Sequence, residues 1–142
     1  LTYAVEKEPD CIIDFATLTG AARVALGPDL PAMFSNSNDM AAALETSSER
    51  VNSPVWRLPL YKPYYRYLKS DVADMKNAAE TPFAGAITAG LYLQQFVPDH
   101  VPWAHFDLFG WNPSAKPGMA QGGDVRLVLG VFDYLEQWLQ GE

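Results

Sequence analysis

Few residues in this chain are of a type and spacing that could do chemistry. It has two histidines, His100 and His105, and a single cysteine, Cys11. Within His105-Phe106-Asp107 an imidazole and a carboxylate stand two apart, which on a strand puts them on the same face. Such a pair can contribute to a metal site or a proton relay. Equally, it can tie the end of the strand to neighbouring backbone, since two ligands do not make a metal site. The second place is Asp14-Phe15-Ala16-Thr17-Leu18-Thr19-Gly20-Ala21, an apolar run entering a hydroxyl-rich turn that ends on glycine. In α/β sheets, ligands settle at the carboxyl ends of strands, where backbone groups are free to meet them. An ordinary strand-to-helix turn is the competing reading, and a dinucleotide loop would need three glycines where this turn has one. The sequence contains no Gly-x-Ser-x-Gly, no Walker loop, no Cys-x-x-Cys and no His-Glu-x-x-His.

The elements that position these residues follow from apolar spacing. Asp10 to Ala16 reads as a buried strand, with Cys11 and Ile13 fully inside. Ala21 to Leu26 reads as a short helix stopped by Gly27-Pro28, and Pro31 to Ser35 as a brief strand. A helix is expected from Asp39, as N-cap, to Ser48. Another is expected after Pro59, with Tyr61, Tyr64, Tyr65 and Leu68 at helical spacing. Trp56, Arg57 and Pro59 are expected to set its start, and the aromatics to serve as core or subunit contact. Ser70 to Pro82 is irregular, and Ser70, Asp74 and Asn77 are expected to satisfy loop backbone. Ala84 to Val97 is a helix ended by Pro98, and Trp103 to Phe109 a second apolar strand. Asn112 to Gly123 is an open loop. Asp124 is expected to cap a long final helix in which Val125, Val128, Leu129, Phe132, Leu135 and Leu139 make an apolar stripe. Apolar strands separated and flanked by helices give an α/β fold, a mixed sheet with helices on both faces.

Composition narrows the classes. A chain of 142 residues, 49% hydrophobic and 19% charged, suits one globular domain. The net charge is −7 and the ten Lys and Arg are scattered, which disfavours nucleic acid and anionic membranes as partners. The longest apolar stretch, Gly85 to Val97, is interrupted by Thr88, Gln94 and Gln95, short of a bilayer span. A lone cysteine suits a reducing compartment, so the expected location is cytoplasmic. The start at Leu1 and the aromatic richness suggest a piece of a longer polypeptide.

Ile12-Ile13-Asp14-Phe15-Ala16-Thr17-Leu18-Thr19-Gly20-Ala21, followed by Ala25-Leu26-Gly27, closely resembles a signature of leucyl aminopeptidases. The resemblance continues through Trp56-Arg57-Leu58-Pro59-Leu60 with Tyr64, Leu68-Lys69-Ser70, Ala73-Asp74 and Asn77. It resumes at Ala84-Gly85-Ala86-Ile87-Thr88-Ala89 with Leu93 and Phe96, and at Trp103-Ala104-His105-Phe106-Asp107. Residues 1–142 are thus identified as the C-terminal part of such a catalytic domain.

The resemblance implies an enzyme that removes N-terminal residues from peptides with two divalent metal ions, commonly zinc, manganese or magnesium. It also implies a cytoplasmic homo-hexamer. The family's metal ligands include an Asn-Thr-Asp-Ala-Glu-Gly-Arg motif that would lie just before Leu1 and does not occur here. No catalytic residue and no metal ligand is therefore carried over, and the chain alone is expected to hold no catalytic metal and to be inactive. Substrate-binding residues are carried over as Thr17, Leu18, Thr19 and Gly20. A second pocket wall follows the His-x-Asp strand, where many members have small residues and this chain has Phe109. That bulk is expected to shrink or reshape the pocket. The competing functions are a non-catalytic binding or assembly module of the same fold, and a free-standing nucleotide-binding domain.

Overall fold

The computed structural model describes residues 1–141. The elements run α1 (Thr2–Val5), β1 (Ile12–Ala16), α2 (Gly20–Leu26), β2 (Ala32–Ser35), α3 (Asn38–Arg50) and β3 (Trp56–Arg57). A 3-10 helix (Lys62–Leu68) follows, then α4 (Gly85–Gln94), β4 (Trp103–Asp107), β5 (Trp111–Asn112), β6 (Gly122–Gly123) and α5 (Leu127–Gln140). Four strands form one sheet in the order β1-β4-β2-β3, and β5 and β6 make a small separate hairpin. β1 runs parallel to β4, β2 antiparallel to β4, and β3 parallel to β2, so the sheet is mixed.

Strand alternation sorts the side chains into two layers. Met33, Ala104 and Phe106 point to one face and pack with Met40, Ala41 and Leu44 of α3 and Leu127, Val131 and Tyr134 of α5. Phe15 stacks on Phe106 at the border of this layer, ring centroids 5.4 Å apart. The other face carries Ala32 and Phe34, covered by Ala22 of α2 and Ala86 of α4, and Trp103, packed with Ile12, Val97 and Val101. Helices on both faces of an apolar mixed sheet are the architecture expected from the sequence. Trp103, Phe34, Phe106, Met33 and Leu44 are fully enclosed at its centre.

Several local expectations give way to tertiary structure. β1 pairs only with β4, so it is an edge strand; Ile12 is buried, but Cys11 and Ile13 are half-buried and Phe15 is 44% exposed. α3 begins one residue earlier than expected because Ser37, not Asp39, accepts the Met40 amide at 3.2 Å; Asp39 sits in the first turn. Trp56 and Arg57 form β3 instead of starting a helix, and Arg57 reaches Asn38 Oδ1 at 2.8 Å. The segment after Pro59 winds as a 3-10 helix, with Tyr61, Tyr64 and Tyr67 rings packed on one another. α4 ends at Gln94 and tightens into i to i+3 hydrogen bonds through Val97. β4 stops at Asp107, two residues short of the expected end. Ser70 accepts the Val72 and Ala73 amides, while Asp74 and Asn77 are exposed.

The largest correction is α5. Val125, Val128, Leu129, Phe132 and Leu139 are all more than half exposed, whereas Leu127, Gly130, Val131 and Tyr134 are buried; Leu135 packs against the core from its edge. Gly130 explains the rotation of the helix. A Cβ built there would lie 2.5 Å from Ser48 Oγ and 2.9 Å from Ser48 Cα, so α5 meets α3 through this glycine. Asp124 does not cap α5. Its carboxylate accepts from the backbone N–H and guanidinium of Arg126, which holds its pKa below the usual carboxylate value.

Candidate functional site

β1 and β4 lie side by side in the register Ile12–Trp103, Asp14–His105, Ala16–Asp107. Residues two apart share a face, so Trp103, His105 and Asp107 project in a row towards the side where β1 places Asp14. Asp14 takes one hydrogen bond on each oxygen: from Trp103 Nε1 to Oδ2 at 2.7 Å, and from His105 Nδ1 to Oδ1 at 2.6 Å. With the carboxylate as acceptor, Nδ1 carries the proton. The His105 ring is fully buried between Phe34 and Trp103, and its Nε2 has no partner among the described residues.

Past the end of β1 the chain turns sharply through Thr17, Leu18 and Thr19 into α2. Asp107, only 2% exposed, directs its carboxylate into this turn. Its Oδ1 accepts the Leu18 amide at 3.0 Å and the Thr19 amide at 3.1 Å, and its Oδ2 accepts the Thr19 hydroxyl at 2.6 Å. The Thr19 hydroxyl oxygen also accepts the Ala22 amide at 3.1 Å and so caps α2. One buried carboxylate thus ties together a strand end, a loop and a helix start. The Thr17 and Leu18 carbonyls accept nothing from the described residues and remain open.

Four of the sequence-predicted site residues, Thr17 to Gly20, therefore form one exposed turn with its backbone fixed from below. Leu18 and Thr19 line a cleft of about 240 Å³ whose other walls are Leu68, Asn77, Ala79, Thr81, Gly85 and Thr88. Thr17 faces elsewhere: its Cγ2 would stand 3.2 Å from a Cβ at Gly110, where φ is +67°. Phe109, next to that glycine, is half-buried with its ring 4.6 Å from the Arg23 guanidinium. It lines a separate small recess with Pro28, Asp29, Asp124 and Arg126. Of the residues that sequence reasoning missed, Asp107 was visible as the second half of His-x-Asp. The Asn77 to Thr81 wall carried no signal, being a polar loop with no periodicity. Among the described residues no three His, Cys, Asp or Glu side chains converge in a way that could hold a metal ion.

A mixed α/β sheet with a cleft of about 240 Å³ beside the turn that follows β1 defines the class, an α/β domain of the kind in which ligands settle at strand ends. Comparison with known proteins narrows this to a family. A profile described as "Cytosol aminopeptidase family, catalytic domain" matches residues 1–129. A probable cytosol aminopeptidase of Syntrophotalea carbinolica is 46% identical over 139 residues, 96% of this chain and 28% of that protein. The crystal structure of a cytosol aminopeptidase from Coxiella burnetii superposes with a TM-score of 0.91 at 55% identity, covering 96% of this chain and 30% of that one. A tomato leucine aminopeptidase variant superposes at 0.81 with 37% identity, covering 92% of this chain and 26% of that one. The chain belongs to the cytosol aminopeptidase family and spans under a third of the length of the relatives it matches. Among the described residues no helix is long and apolar enough to cross a membrane.

Proposed function

We propose that the protein containing this chain removes N-terminal amino acids from peptides by two-metal-assisted hydrolysis, and that this chain supplies one wall of the substrate site. The observation that carries the reading is the Thr17–Gly20 turn: exposed, held by Asp107, with open carbonyls beside an apolar-edged cleft. An extended peptide can donate its N–H groups to the Thr17 and Leu18 carbonyls. A substrate side chain can then rest against Leu18 in the cleft, while Phe109 and Gly110 bound the Thr17 side. The divalent metals, whether zinc, manganese or magnesium, are assigned to ligands outside these residues. The exposed apolar row on α5 supports association with further copies, up to the hexamer implied by resemblance. A cytoplasmic location accords with the family description.

The test is direct. The intact enzyme, loaded with zinc or manganese, is assayed on a leucyl-anilide and on leucyl dipeptides, alongside the 142-residue chain alone. Turnover by the intact enzyme and none by the isolated chain above a metal-only blank is expected. Peptide binding without turnover by the metal-loaded intact protein would instead establish a non-catalytic module of the same fold.

A further inference from the structure

Arg23 stands apart from the other arginines of the chain, each of which has a polar partner. Arg50 meets Gln137 and Asp133, Arg57 meets Asn38 and the Ser35 carbonyl, Arg66 meets the Tyr67 hydroxyl, and Arg126 forks onto Asp124. Arg23 is exposed, and among the described residues its guanidinium has neither a hydrogen bond nor an ion pair. Its one partner is the Phe109 ring, with the guanidinium carbon 4.6 Å from the ring centroid. The acidic residues around the recess that Phe109 lines are already matched, Asp29 by Lys116 and Asp124 by Arg126. In a chain of net charge −7, Arg23 is thus an uncompensated cation on the Phe109 and Thr17 side of the substrate turn.

We propose that Arg23 is a specificity-determining residue: mounted on Phe109, it takes a carboxylate side chain of the peptide substrate. The proposal rests on the functional reading above and adds a substrate class, peptides with Glu or Asp among their first two residues. An extended peptide sends alternate side chains to opposite sides. Where one rests in the cleft against Leu18, its neighbour leaves towards Thr17, Gly110 and the Phe109 ring. There the ring occupies one face of the guanidinium and leaves its N–H edges for a ligand. Those edges fit a carboxylate in a two-bond fork. Contact with the ring also steadies the side chain, so that less rotamer freedom is lost when the carboxylate arrives. A substrate Lys or Arg at the same place meets a like charge instead.

The test uses the intact enzyme with Arg23→Gln, Arg23→Lys, Arg23→Glu and Phe109→Leu. The substrates are two isosteric pairs of tripeptides, Glu-Leu-Gly with Gln-Leu-Gly and Leu-Glu-Gly with Leu-Gln-Gly, so that charge is separated from size at each position. In one of the pairs, the ratio of kcat/KM for the acidic over the amide peptide should be about 3- to 10-fold higher in the wild type than in Arg23→Gln, the range spanned by an exposed ion pair and a charged hydrogen bond. The difference should lie in KM and should shrink at high salt. Arg23→Lys should keep part of it, Arg23→Glu should reverse it, and Phe109→Leu should reduce it by releasing the guanidinium. Equal ratios in the wild type and Arg23→Gln for both pairs overturn the proposal. So does a change confined to melting temperature, which would leave Arg23 only the task of balancing the α2 dipole from its last turn. If the wild type cleaves no peptide, the functional reading fails, and calorimetric binding of the same four peptides to the wild type and Arg23→Gln still decides the role of Arg23.

Discussion

Gly130→Ala tests the packing that turns α5. The native Cα is buried against Ser48 of α3, itself fully buried. An added Cβ would lie 2.9 Å from the Ser48 Cα and 3.1 Å from its Cβ; ordinary contact begins near 3.4 Å. The nearest clash, with Ser48 Oγ at 2.5 Å, can be relieved by rotation, but the backbone atom cannot swing aside. α5 must therefore retreat by about half an ångström, loosening Leu127, Val131 and Tyr134 together. Overpacking of this kind costs about 1–3 kcal/mol, and a backbone clash belongs at the upper end. Against it stands the gain of alanine over glycine inside a helix, about 1 kcal/mol. The expected net effect is destabilisation of about 1–2 kcal/mol, seen as a lower urea midpoint at unchanged slope. Ser48→Ala in the same chain should recover part of the loss, since it removes the Oγ and leaves the backbone contact. Gly123→Ala, with nothing within 4 Å, serves as the neutral control. A Gly130→Ala protein as stable as the parent would refute the close approach of α3 and α5, and with it the explanation for the exposed row on α5.

Further outcomes follow from burial and from the turn. Ile13→Ala should cost about 1–2 kcal/mol in urea unfolding, below the 2–5 kcal/mol of a fully enclosed site, because Ile13 is half-buried on an edge strand; a loss above 3 kcal/mol would show that β1 is covered in the assembled enzyme. Burial, helped by Asp10, pushes the Cys11 thiol pKa up, so alkylation by iodoacetamide at pH 8 should be slower than for an unfolded control. The folded state holds that proton more tightly, so its stabilising contribution is complete below the unfolded pKa and is lost as pH rises through the folded one. In the intact enzyme, Phe109→Ala should raise activity on Leu or Phe substrates relative to Ala substrates, by no more than the factor that about 1–3 kcal/mol allows; an unchanged ratio in a folded variant places Phe109 outside the pocket.

The layered α/β fold was legible because its signals are local and periodic. Cys11-Ile12-Ile13 and Trp103 to Phe106 are short apolar runs of strand length, and helices separate them. The failures share one cause, that periodicity tells which residues are apolar and not which neighbour they meet. The row Val125, Val128, Leu129, Phe132, Leu139 is as regular as any buried stripe, yet Gly130 and Ser48 let the opposite side of α5 approach closest. Ser37 displaced Asp39 as the cap of α3 for a similar reason: both side chains can accept an amide, and only the path of the chain decides which is in position. The edge position of β1 was invisible, since a strand's sequence does not say how many partners it has within a given stretch of chain.

The site was half legible, and the dividing line is sequence separation. Thr17 to Gly20 announced themselves as a polar turn after an apolar strand, because everything that makes them a turn lies within ten residues. What holds that turn lies 88 and 89 residues away, in a side chain whose type is common and whose neighbours are apolar. His-x-Asp drew notice as a possible metal pair, but their places along one face of β4 give its members separate tasks: His105 stands beside the Asp14 carboxylate, and Asp107, two residues closer to the strand end, reaches the turn. A buried charge must find partners or be neutralised. For an aspartate at the last residue of a central strand, the nearest unpaired donors are the amides of the turn leaving the adjacent parallel strand. That rule needs only the pairing of β1 with β4 in register, Ala16 against Asp107. Given this one long-range fact, the hold of Asp107 on Leu18 and Thr19 follows from the chemistry of a carboxylate with nowhere else to bond.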